Sequence, residues 1–420
     1  MRHRAIRDFI GLDEVLAELT SHVRQVSDFE VIRPRDAVGR LAYSDVVSNV
    51  DRPLYDTSHM DGYAVRSSET KSASHERPVT FRVIGWLGPS ERRGRISRGE
   101  AFRVHTGAYL PEGADAVIPQ EDVKVINDGI EVYREIAPFE YVDRRGSDVE
   151  VGTCIVRKGE RITPVTAALL ETLGILEVKV ISRPRVGILT FGSELTDDVS
   201  LLSEGRFILN TLGPMVRSMV MALGCEPVAY PIVPDDYGEV KGAVMRALER
   251  SDCVLTIGGS SVGDIDILSG VFREVSDTYR QGIKLQPGRV GGFALIRGKP
   301  LIILPGLIHS TVNVFNYLAA PVLAGLQGID HRRYLFKWPA TLSEPIRVDK
   351  WEDFLKVVWV QRIDRRSVKP LLGESSRYAS IAHSDGYIEI KPNVKELREG
   401  EAVEVITPSW VKDVDARSLC

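Results

Sequence analysis

The residues of this sequence that are best suited to chemistry lie together in one loop. A short apolar run leads into Gly258, Gly259, Ser260, Ser261, Val262, Gly263, Asp264, Ile265 and Asp266. Glycines let backbone N–H groups approach an anion closely, and glycine-rich turns that follow strands often hold phosphate. The loop has no lysine and ends in two carboxylates. We therefore expect backbone amides to hold an anion here and the acids to hold a metal ion that neutralises it.

Two further loops carry acids at equivalent positions. Glu194 follows the first strand predicted in this part of the chain, Asp235 follows the second and Asp266 follows the third. In a parallel sheet the loops after successive strands share one edge, so these three carboxylates can converge. Carboxylate oxygens are ligands of Mg²⁺, which usually contacts substrate phosphates as well. The spacing favours a magnesium site, and the alternative is that each acid only forms a turn or caps a helix.

The elements that position these loops alternate between strands and helices from residue 183 to about 328. The pattern predicts elements at 185–190, 210–223, 227–233, 239–250, 252–257, 300–304 and 309–324. Asn210 is the predicted N-cap of its helix, because its side chain can accept an N–H of the first turn. Such alternation is typical of a mostly parallel sheet covered by helices on both faces, with ligands beyond the carboxyl ends of the strands.

The segments on either side of this region have a different pattern. Apolar residues at helical spacing predict an N-terminal helix, and Pro164 begins another helix that ends at Gly174. Short apolar runs between glycines and prolines predict one β-rich region from about 50 to 145 and another after about 332. The chain therefore combines an α/β region with two regions dominated by strands.

Composition and charge exclude several classes of protein. The chain has 420 residues, of which 43% are hydrophobic, and this is enough for several domains with apolar cores. Its net charge of −4 argues against broad nucleic-acid binding, and no apolar run approaches the ~18 residues of a membrane-spanning helix. The four cysteines are too far apart for a zinc site or a disulfide framework. We expect a cytoplasmic protein that binds neither nucleic acid nor membrane.

A series of motifs along the chain resembles the MoeA family, the molybdopterin molybdenumtransferases. In order they are MDGYAV (60–65), TGAYLPEGADAVIPQED (106–122), GSDVEVG (146–152), LLETLGI (169–175), GSEL (192–195), NTLGPMVRSMVMALGC (210–225), PDD (234–236), GGSSVGDID (258–266) and LPG (304–306). MDGYAV together with LPEGAD is specific, whereas the GGSSVG pattern is shared with the related molybdopterin adenylyltransferases. The resemblance runs from about residue 10 to 405 and indicates a prokaryotic or archaeal-type member.

The resemblance implies a multidomain fold of the α/β plus β class. An elongated helical and linker domain is expected at 1–48 and 146–182, and a β-rich second domain at 49–145. A MogA-like molybdopterin-binding domain with three α/β/α layers is expected at 183–330, followed by a C-terminal β-barrel domain at 331–420. Because members of the family form homodimers, a homodimer is expected here too, with an active cleft near the third domain of one subunit and the second domain of the other.

The resemblance also implies a reaction and its participants. Adenylylated molybdopterin reacts with molybdate or tungstate, AMP leaves, and the metal is inserted at the dithiolene with the assistance of Mg²⁺. Matched to the motifs, the family's functional residues are Asp61, Thr106, Asp148, Glu194, Asp235 and Asp266. Glu194, Asp235 and Asp266 would organise Mg²⁺. The expected binding residues for cofactor and substrate are Gly258, Gly259, Ser260, Ser261, Gly263, Pro287, Gly288, Arg289, Pro305 and Gly306. A molybdopterin adenylyltransferase is a further candidate partner.

Three stretches depart from the family's pattern on the edge that is predicted to carry the site. The family's PGKP becomes PGRV with Arg289, its PGNPVS becomes PGLIHS with Leu307 and Ile308, and its TGDEL becomes FGSEL with Ser193. Arg289 keeps a positive charge, but in a flat guanidinium rather than a compact ammonium. Leu307 and Ile308 either pack against a ligand or a protein partner, or only begin the helix that follows.

The departures leave alternatives to the transferase open. One is a paralogue of altered specificity, or without catalysis, that acts as a molybdopterin-binding or scaffold protein. The glycine-rich loop alone would also suit an adenylyltransferase, but that class is built from the α/β domain without the MDGYAV and LPEGAD motifs present here. Molybdate and tungstate are similar tetrahedral dianions, so the sequence does not choose between them as the oxyanion.

Overall fold

The computed structural model describes residues 8–89, 94–259 and 267–411. These residues form two compact units. One is Phe29–Val180, and the other consists of the described residues of Met1–Asp28 and Ile181–Cys420. No helix in the described ranges is long and apolar enough to cross a membrane. The expected site residues Ser260, Ser261, Gly263 and Asp266 lie outside the described residues.

The helices and strands are numbered along the chain. The helices are α1 (Leu12–Ser21), α2 (Pro164–Thr172), α3 (Leu212–Ala222), α4 (Tyr237–Arg250), α5 (Ile267–Val275), α6 (Ile308–Val314), α7 (Ala320–Leu326) and α8 (Tyr378–Ala382). The strands are β1 (Phe29–Ile32), β2 (Val46–Val47), β3 (Thr57–Ser58), β4 (Gly62–Val65), β5 (Val79–Leu87), β6 (Glu100–Val104), β7 (Ala116–Pro119), β8 (Val123–Ile126), β9 (Gly129–Val132), β10 (Val142–Asp143), β11 (Cys154–Val156), β12 (Val178–Ile181), β13 (Arg185–Thr190), β14 (Leu195–Thr196), β15 (Ile208–Leu209), β16 (Glu226–Ala229), β17 (Cys253–Ile257), β18 (Thr278–Gln281), β19 (Leu285–Gln286), β20 (Gly292–Ile296), β21 (Lys299–Leu304), β22 (Leu335–Leu342), β23 (Ile346–Arg347), β24 (Leu355–Arg362), β25 (Ser367–Pro370), β26 (Gly386–Ile390), β27 (Glu396–Leu397) and β28 (Ala402–Pro408).

The unit Phe29–Val180 is built around a six-stranded sheet in the order β7-β4-β6-β5-β9-β8. β5 and β6 pair in parallel, and the other neighbours pair antiparallel. Phe81, Ile118 and Ile130 are fully buried in its core. α2 begins where the sequence predicts, because the Thr163 side chain accepts the N–H of Thr166 at 3.1 Å and Pro164 occupies the first turn.

The other unit contains a second six-stranded sheet, in the order β16-β13-β17-β21-β20-β18. Its first four strands are parallel to one another, and β20 and β18 run antiparallel along one edge. Hydrophobic residues of α3, α6 and α7 pack on one face of the sheet, and those of α4 and α5 pack on the other. Burial on both faces explains why β13 and β17 are almost continuously apolar.

The C-terminal strands of the same unit close into a five-stranded barrel. The order is β24-β25-β22-β28-β26, and β26 pairs back onto β24. Short β19 joins the outside of β24 in parallel and so links the barrel to the segment that precedes β20. The predicted α/β plus β class, with a three-layered α/β/α part and a C-terminal barrel, is confirmed. The division into four domains at the expected bounds stays a prediction.

One predicted strand of the α/β part is wrong in its length, and two observed strands were not predicted. The strand predicted at 227–233 is only Glu226–Ala229, and beyond it Val233 makes an isolated bridge to Phe191. The two antiparallel strands β18 and β20 were not predicted, because the predicted pattern joins strands by crossover helices, whereas β20 is joined to the next strand by a hairpin. That hairpin joins β20 to β21 through Arg297 and Gly298, which both have positive φ.

The predicted start of α3 differs from the observed one by one residue. The residue at the N-cap is Thr211, which makes no side-chain capping bond. The side-chain oxygen of Asn210 accepts the N–H of Gly213 at 3.1 Å, so it satisfies a first-turn donor from one position earlier. The helix predicted from 309 begins one residue earlier, at Ile308, and passes through a π-helical segment, Phe315–Ala319, before α7.

Candidate functional site

A cleft of about 450 Å³ lies beyond the carboxyl ends of β13, β17 and β21. This is the edge of a parallel sheet at which ligands bind, because the loops after the strands diverge there. Five residues that the sequence predicts for the site line it: Glu194, Gly258, Gly259, Pro305 and Gly306. The structure therefore brings together loops that are separated by more than a hundred residues in the chain.

Gly258 and Gly259 are required by the backbone path of their loop. Both have positive φ, 82° and 64°, which side chains rarely adopt. A Cβ on Gly258 would lie 2.8 Å from the carbonyl oxygen of Phe191, and one on Gly259 would lie 2.0 Å from Cδ1 of Leu268. The two glycines let the chain turn close to the neighbouring strand end and leave backbone along the cleft wall.

Glu194 and Asp235 lie in neighbouring loops. The isolated parallel bridge between Phe191 and Val233 brings these loops side by side. The N–H of Ser193 donates to Oδ2 of Asp235 at 3.1 Å, and the N–H of Asp235 donates to Oγ of Ser193 at 3.0 Å. Ser193, which replaces an acid of the family pattern, therefore ties the Asp235 loop to the Glu194 loop.

The donor chemistry at this edge fits magnesium in part. Glu194 and Asp235 offer the carboxylate oxygens that Mg²⁺ prefers, while Asp266, the third expected ligand, lies outside the described residues. Within the described ranges no three His, Cys, Asp or Glu side chains cluster closely enough to hold a metal ion. Asp236 has a local role, because it caps α4 by accepting the N–H of Glu239 at 3.0 Å.

A second cleft of about 450 Å³ adjoins the first and contains Pro287, Gly288 and Arg289. The guanidinium carbon of Arg289 lies over the Trp351 ring, 4.7 Å from its centre, within the range of a cation–π contact. Lys350 also lines this cleft. The arginine that replaces the family's lysine thus has an aromatic support that suits a flat cation.

The two apolar departures have different environments. Ile308 is 5% exposed and packs in the core as the first residue of α6, so for this residue the helix-start alternative holds. Leu307 is 48% exposed and lines both clefts. Only Leu307 is therefore available to contact a ligand or a partner.

Asp61 and Thr106 meet in the unit Phe29–Val180. They lie at adjacent ends of β4 and β6, which pair antiparallel at Gly62 and Val104. Oδ1 of Asp61 accepts the backbone N–H of Thr106 at 2.7 Å and its hydroxyl at 2.8 Å. The backbone bond first, and then the hydroxyl bond, lower the pKa of Asp61 below its usual value. His105 is the other neighbour, with Nδ1 3.4 Å from Oδ2 of Asp61.

Asp148 lies elsewhere in that unit, in a cleft of about 860 Å³. Oδ2 of Asp148 accepts from Nε of Arg52 at 2.8 Å, and both side chains are about half exposed. Gly107, which follows Thr106, also lines this cleft, but Asp61 is not among its lining residues. The three expected residues of this unit therefore divide between a hydrogen-bonded pair and a separate ion pair.

Sequence reasoning missed several polar residues of the first cleft, among them Asn210, Thr211 and Tyr378. Asn210 and Thr211 follow β15, and the sequence pattern around them predicts only the start of a helix. Tyr378 belongs to the C-terminal region, and its hydroxyl lies 2.7 Å from Oγ1 of Thr211. No local signal could have found this contact, because the two residues are 167 positions apart.

The fold and the cleft define a multidomain α/β protein with a small-molecule cleft at the edge of a mostly parallel sheet. Three family models match most of the chain: "MoeA N-terminal region (domain I and II)" at residues 10–174, "Probable molybdopterin binding domain" at 187–325 and "MoeA C-terminal region (domain IV)" at 339–407.

Individual relatives agree with these matches. The molybdopterin molybdenumtransferase of Haemophilus influenzae is 32% identical over 322 residues, which cover 76% of this chain and 78% of the relative. The enzyme of the same name from Staphylococcus aureus is 29% identical over 375 residues, with 88% and 89% covered. Among solved structures, a molybdopterin biosynthesis MoeA protein from Pyrococcus horikoshii superposes with a TM-score of 0.85 at 30% identity, covering 97% of this chain and all of that one.

The chain therefore belongs to the MoeA family of molybdenum-cofactor biosynthesis, whose members include the enzymes named above. The family expected from the motifs is confirmed. The assignment of roles to individual side chains stays a prediction.

Proposed function

We propose that this chain inserts molybdate or tungstate into adenylylated molybdopterin, with release of AMP and with dependence on Mg²⁺. The observation that supports the proposal most directly is the cleft at the carboxyl ends of the strands. It joins half-buried backbone at Gly258 and Gly259 to the carboxylate of Glu194 and to the turn at Pro305 and Gly306. A pyrophosphate linkage needs both kinds of group, amides for its oxygens and a cation site for its charge.

The proposed roles follow from these positions. The glycine-rich loop binds the pyrophosphate, and Arg289 binds an anionic group in the adjoining cleft. Glu194, Asp235 and Asp266 would hold Mg²⁺, which when bound offsets negative charge on the phosphate of the departing AMP. Asp61, Thr106 and Asp148 are further proposed catalytic residues, and Asp61 enters the reaction as a carboxylate because its hydrogen bonds favour the charged form.

The decisive experiment incubates the purified protein with adenylylated molybdopterin and molybdate, with and without Mg²⁺, and measures AMP and cofactor. Release of AMP with cofactor formation, lost when EDTA removes the metal, is the expected result. A parallel reaction with tungstate compares the two oxyanions. Binding of the nucleotide without turnover would instead indicate the alternative function of a molybdopterin-binding or scaffold protein.

The neighbouring acids of one loop offer a matched control for the metal site. Asp235→Asn should lose most of the Mg²⁺-dependent AMP release, because the expected ligand loses its charge. Asp236→Asn should keep it, since Asn also caps a helix well. Asp266→Ala is expected to behave like Asp235→Asn, with a melting temperature close to that of the wild type. If Asp235→Asn and Asp266→Ala keep as much Mg²⁺-dependent activity as Asp236→Asn, the proposed metal ligands are wrong.

The partners and location belong to the same proposal. We expect a homodimer in the cytoplasm that receives its substrate from a molybdopterin adenylyltransferase. Mixing the two purified proteins and following the transfer of adenylylated molybdopterin in the presence of a trapping competitor tests this partnership. If the competitor traps the adenylylated molybdopterin before it reaches this protein, the substrate passes through free solution. That result would argue against a direct complex.

A further inference from the structure

His309 is a buried imidazole on the far side of the cleft wall. Its neighbours Leu307 and Ser310 line the cleft, whereas His309 faces the C-terminal segment 375–380 and is only 5% exposed. Nε2 of His309 lies 2.6 Å from Oγ of Ser380 and 3.1 Å from the carbonyl oxygen of Arg377. Because a carbonyl oxygen can only accept, the tautomer with hydrogen on Nε2 fits both contacts.

The same segment is tied to the start of α6 by its backbone. The N–H of His309 donates to the carbonyl oxygen of Ser375 at 3.1 Å. Ser380 donates its hydroxyl to the carbonyl oxygen of Arg377 at 2.7 Å, so this serine is held by its own turn as well as by the imidazole. Burial lowers the pKa of His309 and favours its neutral form, which is the form with a single ring donor. His309 therefore binds the segment that precedes and begins α8 at both ends, by its backbone at Ser375 and by its side chain at Arg377 and Ser380.

Tyr378 is the residue that this fastening presents to the cleft. It lies between Arg377 and Ser380, and every other lining residue of the cleft falls between positions 190 and 310. Its hydroxyl lies 2.7 Å from Oγ1 of Thr211, another lining residue of the cleft, and Tyr378 is 46% exposed. The C-terminal region therefore contributes one aromatic face and one hydroxyl to a cleft otherwise formed by the α/β part.

We infer that Tyr378 is a specificity-determining residue of this cleft, that it selects a planar heterocycle with hydrogen-bonding edges, and that His309 is the positioning residue that holds it in place. The inference rests on the proposed function and assigns the pterin end of the substrate to the wall formed by Tyr378 and Thr211. The aromatic ring of Tyr378 contributes to binding by stacking on the face of the ligand. Its hydroxyl, held by Thr211, selects ligands that present a hydrogen-bonding group at that position.

Substitutions separate the ring from the hydroxyl. Tyr378→Ala removes both and should weaken the binding of molybdopterin roughly three- to tenfold, the range expected for loss of one aromatic contact. Tyr378→Phe and Thr211→Val each break the same hydrogen bond from opposite sides, and they should have equal effects smaller than that of Tyr378→Ala. Binding is measured by titration with molybdopterin, and KM and kcat are measured in the AMP-release reaction. KM should rise while kcat stays within twofold.

A matched pair tests His309. Gln places an amide N–H near the position of Nε2 and should preserve binding, whereas Leu fills the space without a donor. His309→Leu is expected to raise the KM like Tyr378→Ala and to accelerate amide exchange in residues 375–382. His309→Gln is expected to keep the KM and the protection of that segment. A purely structural histidine would lower the melting temperature in both variants without changing the KM.

The outcomes separate this inference from the proposed function. If the wild type binds no molybdopterin, both are wrong. If the wild type binds it and Tyr378→Ala binds it equally well, the proposed function stands and the assignment of Tyr378 is overturned. If Tyr378→Ala weakens binding but His309→Leu changes neither KM nor exchange, the positioning role of His309 is wrong.

Discussion

Asp61 is held in place by its neighbours rather than by burial. Its side chain is 46% exposed, yet one carboxylate oxygen accepts two hydrogen bonds from a single residue, Thr106. Hydrogen bonds to the charged form stabilise that form, which is why the pKa of this carboxyl is lowered without a buried cation. The Asp61 carboxylate is therefore charged, has a defined orientation and lies at the surface of its unit.

Asp61→Asn tests the charge, because the amide oxygen can still accept from Thr106 while the negative charge is lost. We expect AMP release to fall roughly tenfold to a hundredfold, the size of effect that a misplaced or uncharged catalytic group produces. The melting temperature should stay close to that of the wild type. Thr106→Ser, which retains both donors, is the control and should remain active, whereas Thr106→Val should lose part of the activity. Full activity of Asp61→Asn would exclude a role for its charge.

A second exposed carboxyl gives a prediction of pH dependence. Asp330 accepts hydrogen bonds from the backbone N–H of Arg332 at 2.9 Å and from its Nε at 2.8 Å. The side-chain bonds first lower the pKa of Asp330 from 3.8 to about 2. Since the folded pKa lies below the unfolded value, the carboxylate stabilises the fold above about pH 4, and this contribution is lost as the pH falls toward 2.

Comparison of the wild type with Asp330→Asn by thermal melting checks this. The wild type should be the more stable protein at pH 6, by less than about 1 kcal/mol because the pair is half exposed. Most of the difference should be lost by pH 2, and the remainder below it. In the Arg332→Gln background Asp330→Asn should have little effect at either pH. A stability difference that is constant from pH 6 to pH 2 would contradict the assignment.

At the scale of elements, α6 connects the barrel to a loop of the candidate site. Nε1 of Trp359, on β24, donates to Oδ1 of Asn313 at 3.2 Å, and Nδ2 of Asn313 donates to the carbonyl oxygen of Pro287 at 3.0 Å. Asn313 is fully buried. One amide thus satisfies a donor of the barrel and an acceptor of the turn that carries Arg289, and so fixes this turn relative to the helix.

Asn313→Ala should therefore destabilise the protein and also loosen the turn. We expect a loss of about 2–4 kcal/mol in the free energy of unfolding, because a buried donor and a buried acceptor are left unpaired. The KM for the substrate should rise. Asn316→Ala is the matched control: its side chain accepts only from Nε1 of Trp410, at 2.7 Å, so it should cost stability without changing the KM. Urea unfolding and steady-state kinetics of both variants distinguish these effects.

At the scale of the whole molecule, the barrel and the α/β part belong to one unit, and their contacts decide the shape of the cleft. The closed barrel leaves no free strand edge among β22, β24, β25, β26 and β28. β19 and the Asn313 and His309 contacts join it to the α/β part. We conclude that the C-terminal strands shape the site as well as stabilise the fold.

The proposed homodimer is tested on the whole molecule. Light scattering at micromolar concentration should give about twice the chain mass of 46.6 kDa. Because the family's cleft is expected to use residues of both subunits, specific activity should fall on dilution below the dimer dissociation constant and recover on concentration. A monomer with full specific activity would refute the shared cleft.

Much of the fold and the family could be predicted from local sequence. The strand at 185–190 occurs as predicted, because a run of apolar residues between turn formers has few other stable conformations. Gly258 and Gly259 were predicted to line an anion site, and their positive φ explains their residue type. Helix termini were less well predicted, since Asn210 and Thr211 are both suitable caps and packing selects between them.

The sequence by itself determined which residues could do chemistry and on which loops they lie, because propensity, periodicity and motif spacing are local properties. Only the tertiary structure decided that Ile308 is buried while Leu307 is exposed, that Ser193 ties Asp235 to the Glu194 loop, and that Tyr378 reaches Thr211. Such contacts depend on how helices and a closed barrel pack against a sheet. Their free energy comes from burial and hydrogen bonding between residues far apart in the chain, so no local pattern encodes them.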